Sequence, residues 1–305
     1  MQVIRDDEID FAAYEWQTDC KLKVKMPSQY LAEVLEELRP KTAEQAPSTF
    51  SNKLGRYMRF RPGEVTAWAG YSGHRKSMFT GQLALELGKQ NVSTLVASFE
   101  MEPAKTLARM SRQWLATAMP TDEGVSKFMS GTDRKVWLFD HMGRADPRRV
   151  LAVCRYFAEE LKGRHVVIDS FMMVCGSEER MDEQKQFATD LVRLAQETGL
   201  HVHIIAHCRK PKDEAEMIPP GKHDLRGSAA ITDQCSNVIT VWMNKPKQIR
   251  MTEKTADAEM MEQPDALLTV CKQRNGDFEG KLKFWFCPES LRFVDTRDTV
   301  SESWV

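Results

Sequence analysis

The stretch that decides the fold is Gly70-Tyr71-Ser72-Gly73-His74-Arg75-Lys76-Ser77. The apolar run before it, Val65 to Ala69, is typical of a short buried strand. After Lys76 the apolar residues recur at helical spacing, which predicts a helix. The first glycine, the residues that follow it and the closing Lys-Ser pair have the spacing of a phosphate-binding loop. The sequence therefore predicts a strand, a phosphate-binding loop and a helix.

The expected roles follow from the physics of such a loop. Its main-chain N–H groups point at phosphate oxygens, and the dipole of the helix favours their negative charge. Lys76 would reach the terminal phosphates, and the Ser77 hydroxyl would hold Mg²⁺. The residues predicted to bind ATP or another nucleoside triphosphate are Gly70, Ser72, Gly73, His74, Arg75, Lys76 and Ser77.

One position departs from the motif, because Arg75 stands where the pattern has glycine. Glycine at that place lets the main chain approach a phosphate without an intervening side chain. Arginine has three possible arrangements: it points outward, adds a second cation to the phosphates, or obstructs the site. The alternative to a working site is a degenerate loop that binds nucleotide weakly or not at all.

Composition describes an ordinary globular chain of 305 residues, long enough for one large domain with an extension or for two small domains. The formal net charge is −1, so a nucleic-acid contact has to come from a local basic patch. The seven cysteines are scattered, which favours reduced thiols in a cytoplasm over disulfides or zinc. No apolar run has membrane-spanning length, and the acidic beginning is unlike a secretory signal.

An amphipathic helix is predicted near the beginning of the chain, with Ser28 as its cap and Pro40 after its end. Its apolar stripe consists of Leu31, Val34, Leu35 and Leu38. Residues 41–52 have no periodicity and are expected to form a linker. The stripe has to be buried, either on its own domain or on a neighbouring copy, and linker reach does not choose between these.

Strands and helices then alternate, which predicts an α/β fold with a mostly parallel sheet and helices on both faces. The last strands follow one another without helices, so that edge of the sheet is expected to be antiparallel. The predicted strands are Val92–Phe99, Lys135–Phe139, Val166–Ile168, Val202–Ala206, Val238–Trp242, Leu267–Cys271, Leu282–Phe286 and Leu291–Val294, and the helices are Pro103–Thr117, Pro147–Leu161 and Asp182–Thr198.

Three polar residues end predicted strands, where ligands gather in sheets of this type. Asp169 is placed to orient Mg²⁺ through water, although a strand that ends in Asp is common. Glu100 could accept a proton from the water that attacks a terminal phosphate, or could simply cap the following helix. His207 could sense the terminal phosphate, or could be a structural histidine.

Two later segments carry basic residues. The stretch from Arg209 to Arg226 is a long loop that ends in Asp224-Leu225-Arg226-Gly227-Ser228, and loops of this length are usually functional or disordered. Lys272-Gln273-Arg274-Asn275-Gly276 follows a late strand and, taken alone, indicates a solvated hairpin turn.

As an ordered set these motifs resemble the RecA-like motor domain of hexameric replicative helicases of the DnaB type, and more closely the bacteriophage primase–helicases and mitochondrial Twinkle. The resemblance covers residues 53–296, which leaves an N-terminal extension (1–52, with a subunit-bridging helix at 28–39) and a tail (297–305). The motifs that carry it are the phosphate-binding loop, Ser98-Phe99-Glu100-Met101, Val166-Val167-Ile168-Asp169, Ala206-His207-Cys208-Arg209-Lys210-Pro211, Asp224-Leu225-Arg226-Gly227-Ser228 and Lys272-Gln273-Arg274-Asn275-Gly276.

The resemblance implies specific roles. Lys76 and Ser77 would bind phosphate and Mg²⁺, Glu100 would be the catalytic base, and Asp169 would orient the metal. His207 would couple the terminal phosphate to DNA, and Lys272 and Arg274 would reach the neighbouring subunit's nucleotide. The residues that would contact the DNA strand are Arg209, Lys210, Arg226, Gly227 and Ser228.

The implied function is an ATP-dependent ring that translocates on single-stranded DNA, and in this family the ring is a hexamer. The implied location is the cytoplasm, or the cytoplasm of the bacterial host if a phage encodes the protein. A primase or loader would be a separate chain. Arg75 motivates the alternative of a ring that binds nucleotide and DNA without hydrolysis. A recombinase or clock-type ATPase of RecA-like fold is a third interpretation, which the Asp224–Ser228 segment with Lys272 and Arg274 disfavours.

Overall fold

The computed structural model describes residues 2–4, 10–14, 27–39, 46–176, 180–209, 217–227, 229–299 and 301–304. In this part of the chain one sheet has the strand order β1-β4-β3-β5-β6-β2-β7-β8-β9-β10. The strands are β1 (Gln2–Ile4), β2 (Val65–Gly70), β3 (Thr94–Ser98), β4 (Val136–Phe139), β5 (His165–Asp169), β6 (His201–His207), β7 (Asn237–Met243), β8 (Ala266–Gln273), β9 (Gly280–Cys287) and β10 (Arg292–Val294).

Helices connect most of these strands. They are α1 (Phe11–Tyr14), α2 (Leu31–Leu38), α3 (Asn52–Tyr57), α4 (Lys76–Lys89), α5 (Pro103–Leu115), α6 (Asp122–Thr132), α7 (Pro147–Glu159), α8 (Phe171–Cys175), α9 (Met181–Thr198), α10 (Ala229–Gln234), α11 (Lys245–Thr252) and α12 (Ala258–Glu262). None of the helices in the described ranges has the length and apolar composition of a membrane-spanning segment.

The sheet is parallel from β1 to β7 and antiparallel beyond it. Neighbouring strands from β1 through β7 pair in parallel, and β7, β8, β9 and β10 pair antiparallel. This confirms the predicted sheet with its antiparallel C-terminal edge. Each predicted strand is present, and no end differs from the prediction by more than two residues.

Hydrophobic cores lie on both faces of the sheet. One core contains Phe157 of α7 and Leu191 of α9, and the other contains Phe79 of α4 and Phe128 of α6. Burial of apolar surface at about 25 cal/mol per Å² is what holds such layers together. The prediction of helices on both faces is therefore confirmed.

The segments outside the predicted central domain also pack against it. β1 extends the sheet beside β4. In the predicted linker, the Ser48 N–H donates to Gln90 at 3.1 Å, and the Ser51 hydroxyl caps α3. In the predicted tail, the Trp304 N–H donates to the Trp114 carbonyl oxygen at 2.9 Å. The boundaries at residues 53 and 296 stay predictions.

The predicted helix 28–39 begins later than expected. Residues Pro27–Tyr30 form a 3-10 turn and α2 starts at Leu31, so the prediction that Ser28 caps the helix is wrong. The four apolar side chains of the stripe are exposed, by 62% at Leu31, 50% at Val34, 49% at Leu35 and 77% at Leu38. Nothing in the described chain covers this face of α2.

Candidate active site

The strand order brings the predicted chemical residues to one edge of the sheet. β3, β5, β6 and β2 are consecutive neighbours, and their carboxyl ends carry Glu100, Asp169, His207 and the phosphate-binding loop. Ser98 pairs with Asp169 and Gly70 pairs with His207 in the register of the strands. Residues that are far apart in sequence therefore meet because parallel strands end together.

The beginning of the loop requires glycine. A Cβ on Gly70 would clash with the main-chain oxygen of Val241 on β7, and Gly73 has a φ of +78°, which glycine adopts without strain. His74 is buried, and its Nδ1 accepts a hydrogen bond from the Met243 N–H at 2.9 Å. The His74 ring thus holds the loop against β7, while Ser72 and Gly73 line the cavity beside it.

Arg75 takes the left-handed conformation that the motif's glycine would favour, with φ +59° and ψ +26°. Its guanidinium carbon lies 3.6 Å from the centre of the Phe286 ring on β9. Burial lowers the pKa of Arg75, and the nearby Asp265 carboxylate opposes this effect. The sequence allowed an outward side chain, a second cation at the phosphates or an obstruction. In the structure the side chain is stacked on the ring of Phe286 and lines the cavity.

Three polar groups of the protein surround the Lys76 ammonium. Its Nζ donates to the carbonyl oxygens of Gly70 at 3.0 Å and Tyr71 at 2.8 Å, and lies 3.4 Å from Nδ1 of His207. Burial lowers the pKa of Lys76 to about 8, against the opposing effect of the Asp169 carboxylate. An amine in this state gains from an anionic partner, because such a partner favours its charged form.

Glu100 lies between Ser170 and His207. The Ser170 hydroxyl donates to its Oε1 at 2.6 Å, and Nε2 of His207 lies 3.6 Å from the same oxygen. The pKa of Glu100 is lowered to about 2, first by the facing His207 imidazole and further by the Ser170 hydrogen bond, although partial burial opposes both. The carboxylate is therefore ionised at neutral pH, and His207 bridges it to Lys76.

Asp169 and Ser77 supply hard oxygen donors to the same edge. Burial raises the pKa of Asp169, and a hydrogen bond with the Ser77 side chain counteracts that effect. In the described residues there is no cluster of three His, Cys, Asp or Glu side chains that could hold a metal ion. The pair fits Mg²⁺, which is commonly bound through one or two protein oxygens, water and substrate phosphates.

These residues surround a cavity of about 240 Å³ that Arg75, Lys76, Glu100, Asp169 and His207 line together. The cavity is also lined by Arg109 of α5, which sequence reasoning missed. The Arg109 side chain is exposed, so its positive charge is accessible from the cavity. Arg109 belongs to none of the recognised motifs, so nothing in the sequence was a reason to select it. The packing of α5 beside α4 places it at the cavity.

The segment predicted to contact DNA, residues 209–228, contains all five of the predicted DNA contacts and starts directly after His207. Cys208 and Leu225 form a bridge, the Arg209 N–H donates to the Asp224 carbonyl oxygen at 2.7 Å, and the Arg226 N–H donates to the His207 carbonyl oxygen at 2.8 Å. Arg209, Arg226 and Gly227 therefore lie together at the base of this segment. Lys210 and Ser228 lie outside the described residues.

Lys272 and Arg274 lie at the opposite edge of the sheet. Gln273 pairs with Asn237 at the beginning of β7, whereas the phosphate-binding loop follows the other end of β2. Within the chain both cations hold the C-terminal end of α10: Lys272 Nζ donates to the Thr232 and Asp233 carbonyl oxygens at 2.8 Å, and Arg274 donates to Asp233 at 3.2 Å. The structure does not bring them to their own chain's cavity.

Comparison with known families adds to this geometry. Residues 33–213, more than half of the chain, match the AAA domain family. The chain belongs to the AAA domain family. The matched region contains the phosphate-binding loop, Glu100, Asp169 and His207.

Solved structures share the fold of this AAA domain chain over most of its length. The structure titled "ATPase Domain of G40P" matches with a TM-score of 0.70 and 16% identity, over 90% of this chain and 100% of the other. The structure of a DnaB-like replicative helicase, described together with its interactions with primase, matches with a TM-score of 0.71 and 14% identity, over 90% of this chain and 69% of the other. The predicted RecA-like fold of the DnaB type is confirmed.

Proposed function

We propose that this chain is the motor of a ring-forming, ATP-dependent DNA helicase that translocates on single-stranded DNA in replication. One observation carries the proposal: His207 contacts both Lys76 and Glu100, and the main chain of the same residue pairs with Arg226. A change in the contacts of Lys76 or Glu100 can therefore move His207, and with it the segment predicted to contact DNA. The DnaB-type fold supports the same conclusion.

In the proposed reaction Glu100 accepts a proton from the attacking water. Its carboxylate is ionised over the whole neutral range, since its pKa is about 2, and the Ser170 hydroxyl fixes its orientation. Lys76 and Arg109 neutralise charge on the terminal phosphates. Mg²⁺ held by Ser77 and, through water, by Asp169 would act as a Lewis acid that offsets phosphate charge.

The ring supplies what a single chain lacks. Lys272 and Arg274 lie at the sheet edge opposite their own cavity, so a nucleotide that they contact belongs to a neighbouring copy. An arginine inserted in this way stabilises transition-state charge and is worth about 10³–10⁵ in rate. The uncovered stripe of α2 is proposed to dock on that neighbour, and a six-membered ring follows by likeness to the family.

The DNA strand is proposed to contact Arg209, Lys210, Arg226, Gly227 and Ser228. Phosphate contacts of this kind make binding weaken steeply as salt rises. The proposed direction of movement is 5′ to 3′, in the cytoplasm, with a separate primase or loader as partner. The G40P and DnaB-like folds support this assignment without specifying a partner for this chain.

Arg75 motivates a second candidate, a nucleotide-gated ring that binds single-stranded DNA and does not hydrolyse. Its side chain lines the cavity, where the motif's glycine would leave open space. Stacking on Phe286 favours the hydrolysing interpretation, because the guanidinium already has a partner other than phosphate.

Phosphate release decides between the two candidates. We expect turnover in the wild type, stimulated by single-stranded DNA, and loss of turnover in Lys76→Ala. Absence of wild-type turnover with recovery in Arg75→Gly supports the non-hydrolysing ring. ATP hydrolysis that is indifferent to DNA and unchanged in Arg274→Ala contradicts the proposed ring mechanism.

A further inference from the structure

Residues 218–220, within the segment predicted to contact DNA, are attached to the domain by two side-chain hydrogen bonds. The Tyr71 hydroxyl donates to the Ile218 carbonyl oxygen at 3.3 Å. The Thr240 hydroxyl on β7 donates to the Pro220 carbonyl oxygen at 2.8 Å. The first anchor belongs to the phosphate-binding loop and the second does not, so the two anchors respond to different parts of the molecule.

Tyr71 is engaged at both ends. Its side chain is buried at 2% exposure, and its ring packs edge-on against His74, with centres 5.3 Å apart. Its carbonyl oxygen accepts a hydrogen bond from Lys76 Nζ at 2.8 Å. One rigid residue therefore joins the phosphate-binding lysine to the main chain of Ile218.

Phosphate binding has to disturb this arrangement. The Lys76 ammonium has three donors, and three groups of the protein already surround it: the carbonyl oxygens of Gly70 and Tyr71, and Nδ1 of His207 at 3.4 Å. A phosphate oxygen that accepts from Lys76 therefore replaces at least one of these partners. The main-chain acceptors whose hydrogen bond from Lys76 can be replaced in this way are the carbonyl oxygens of Gly70 and Tyr71.

We propose that Tyr71 is a positioning residue that couples phosphate occupancy at Lys76 to the placement of residues 217–221, and through them to affinity for single-stranded DNA. The inference rests on the proposed function and adds a second connection to it. His207 ties Lys76 to the base of the segment through Arg226, whereas Tyr71 ties it to Ile218. The DNA-contacting segment is thus linked to the nucleotide site at two places.

The decisive variant is Tyr71→Phe, which removes the hydroxyl and keeps the ring. The dissociation constant for a fluorescent single-stranded oligonucleotide is measured with and without a saturating, non-hydrolysable ATP analogue. We expect the ratio of the two constants to move towards one by about two- to tenfold, the range that the loss of one hydrogen bond produces.

Thr240→Val is the matched control, because it releases the neighbouring anchor without touching the phosphate-binding loop. If these bonds have a purely structural role, each variant weakens DNA binding by the same factor with and without the nucleotide analogue, and the ratio of the two constants stays at the wild-type value in both. The coupling role predicts that Thr240→Val keeps the wild-type ratio and that Tyr71→Phe loses it. An unchanged ratio in Tyr71→Phe overturns the inference.

Trypsin cleavage after Arg209, Lys222 and Arg226 provides a readout that needs no DNA. We expect the nucleotide analogue to change the cleavage rate in the wild type and in Thr240→Val, and to change it much less in Tyr71→Phe. If the wild type binds no single-stranded DNA, the proposed function fails while this readout still decides the coupling. Cleavage that responds equally to nucleotide in all three proteins, or in none, overturns the inference.

Discussion

Arg75 combines an unfavourable backbone with a favourable side-chain contact. A non-glycine residue in the left-handed region costs about 1–2 kcal/mol, and a guanidinium stacked on an aromatic ring returns about 0.5–2 kcal/mol. Because Arg75 has a φ of +59° and lies on Phe286, the two effects nearly cancel. The loop is thus fixed by a contact with β9 rather than by the flexibility of glycine.

Substitution at Arg75 separates these effects. We expect Arg75→Gly to change the free energy of unfolding by less than about 1 kcal/mol, since it loses the stacking and relieves the backbone. Arg75→Ala keeps the strained backbone and loses the stacking, so it should be about 1 kcal/mol less stable than Arg75→Gly. Urea denaturation measures both. Equal stability of the two variants would show that the left-handed backbone carries no cost.

Lys76 gives nucleotide binding a pH dependence. Its pKa in the free protein is about 8, and phosphate raises it, so the bound state holds more protons and affinity falls as pH rises. We expect the nucleotide dissociation constant to increase by up to about tenfold per pH unit above pH 8.

Titration calorimetry in buffers of different ionisation enthalpy also measures the accompanying proton uptake. Lys76→Arg is the control, because a guanidinium stays charged over this range and its affinity should be flat from pH 8 to 9.5. A wild-type affinity that is equally flat would contradict the lowered pKa of Lys76.

At the scale of elements, β5 and β6 carry three buried neutral histidines. The Trp68 indole donates to Nδ1 of His203 at 3.1 Å, so Nε2 of His203 carries the proton and faces Nδ1 of His165 at 3.1 Å. His201 donates through Nδ1 to the Arg61 carbonyl oxygen at 2.7 Å. Burial lowers the pKa of His201 to about 4, and burial also holds the pKa values of His165 and His203 well below the usual range of histidine.

This cluster predicts loss of stability in mild acid. Below the unfolded value of 6.5 the unfolded chain gains protons that the folded chain does not, so stability falls from pH 6.5 down to about pH 4. Each histidine contributes a slope of at most about 1.4 kcal/mol per pH unit, or about 4 for the three together, and the slope reaches this limit well below pH 6.5. The free energy of unfolding, measured by urea denaturation between pH 4.5 and 6.5, tests this.

His201→Gln supplies the comparison. The amide oxygen can still accept from the Thr66 hydroxyl, which faces Nε2 at 2.8 Å, but the amide does not titrate. We expect the variant to be less stable at pH 7, because the bond to Arg61 is lost, and its pH slope to be about one third smaller. An unchanged slope would mean that His201 is not responsible.

Elements with strong local patterns were predictable from the sequence, and elements held by tertiary contacts were not. β2 and β5 are apolar runs with clear ends. β1 has three residues and exists through pairing with β4, and α6 combines glycines with few apolar residues, of which Phe128 is fully buried. Neither β1 nor α6 has a periodic signal, so both were missed.

The same division applies to the candidate site. Glu100, Asp169 and His207 were predictable because each ends a recognisable strand and parallel strands end together. The orientation of Arg75 depends on the ring of Phe286, and the contact of Tyr71 depends on how a long loop returns to the domain. Such contacts join residues far apart in the chain and leave no local pattern.

At the scale of the whole molecule, the uncovered stripe of α2 predicts association between copies. Burying one leucine side chain is worth about 1.5–3 kcal/mol, so Leu35→Glu should raise the concentration needed for assembly by at least about tenfold. Sedimentation velocity over a range of concentrations measures it. Ala32→Glu, an exposed position beside the stripe, is the matched control and should assemble as the wild type does. Equal assembly of the two variants would exclude α2 from the interface.

The placement of Lys272 and Arg274 makes a sharper prediction for the ring. If Arg274 serves the nucleotide of a neighbouring copy, Lys76→Ala and Arg274→Ala are each inactive alone but complement each other when mixed and reassembled. In an equal random mixture about a quarter of the interfaces pair an intact Lys76 with an intact Arg274, so ATPase activity should recover to about a quarter of the wild-type rate. The control is the double variant Lys76→Ala/Arg274→Ala mixed with either single variant. Such a mixture contains no intact interface, so it should stay inactive if each single change abolishes turnover. Recovery in the first mixture alone requires both residues to act on one nucleotide from different copies. Failure of every mixture, with oligomers of normal mass, would mean that Arg274 acts within its own chain, where its contact with Asp233 at the end of α10 is its structural role.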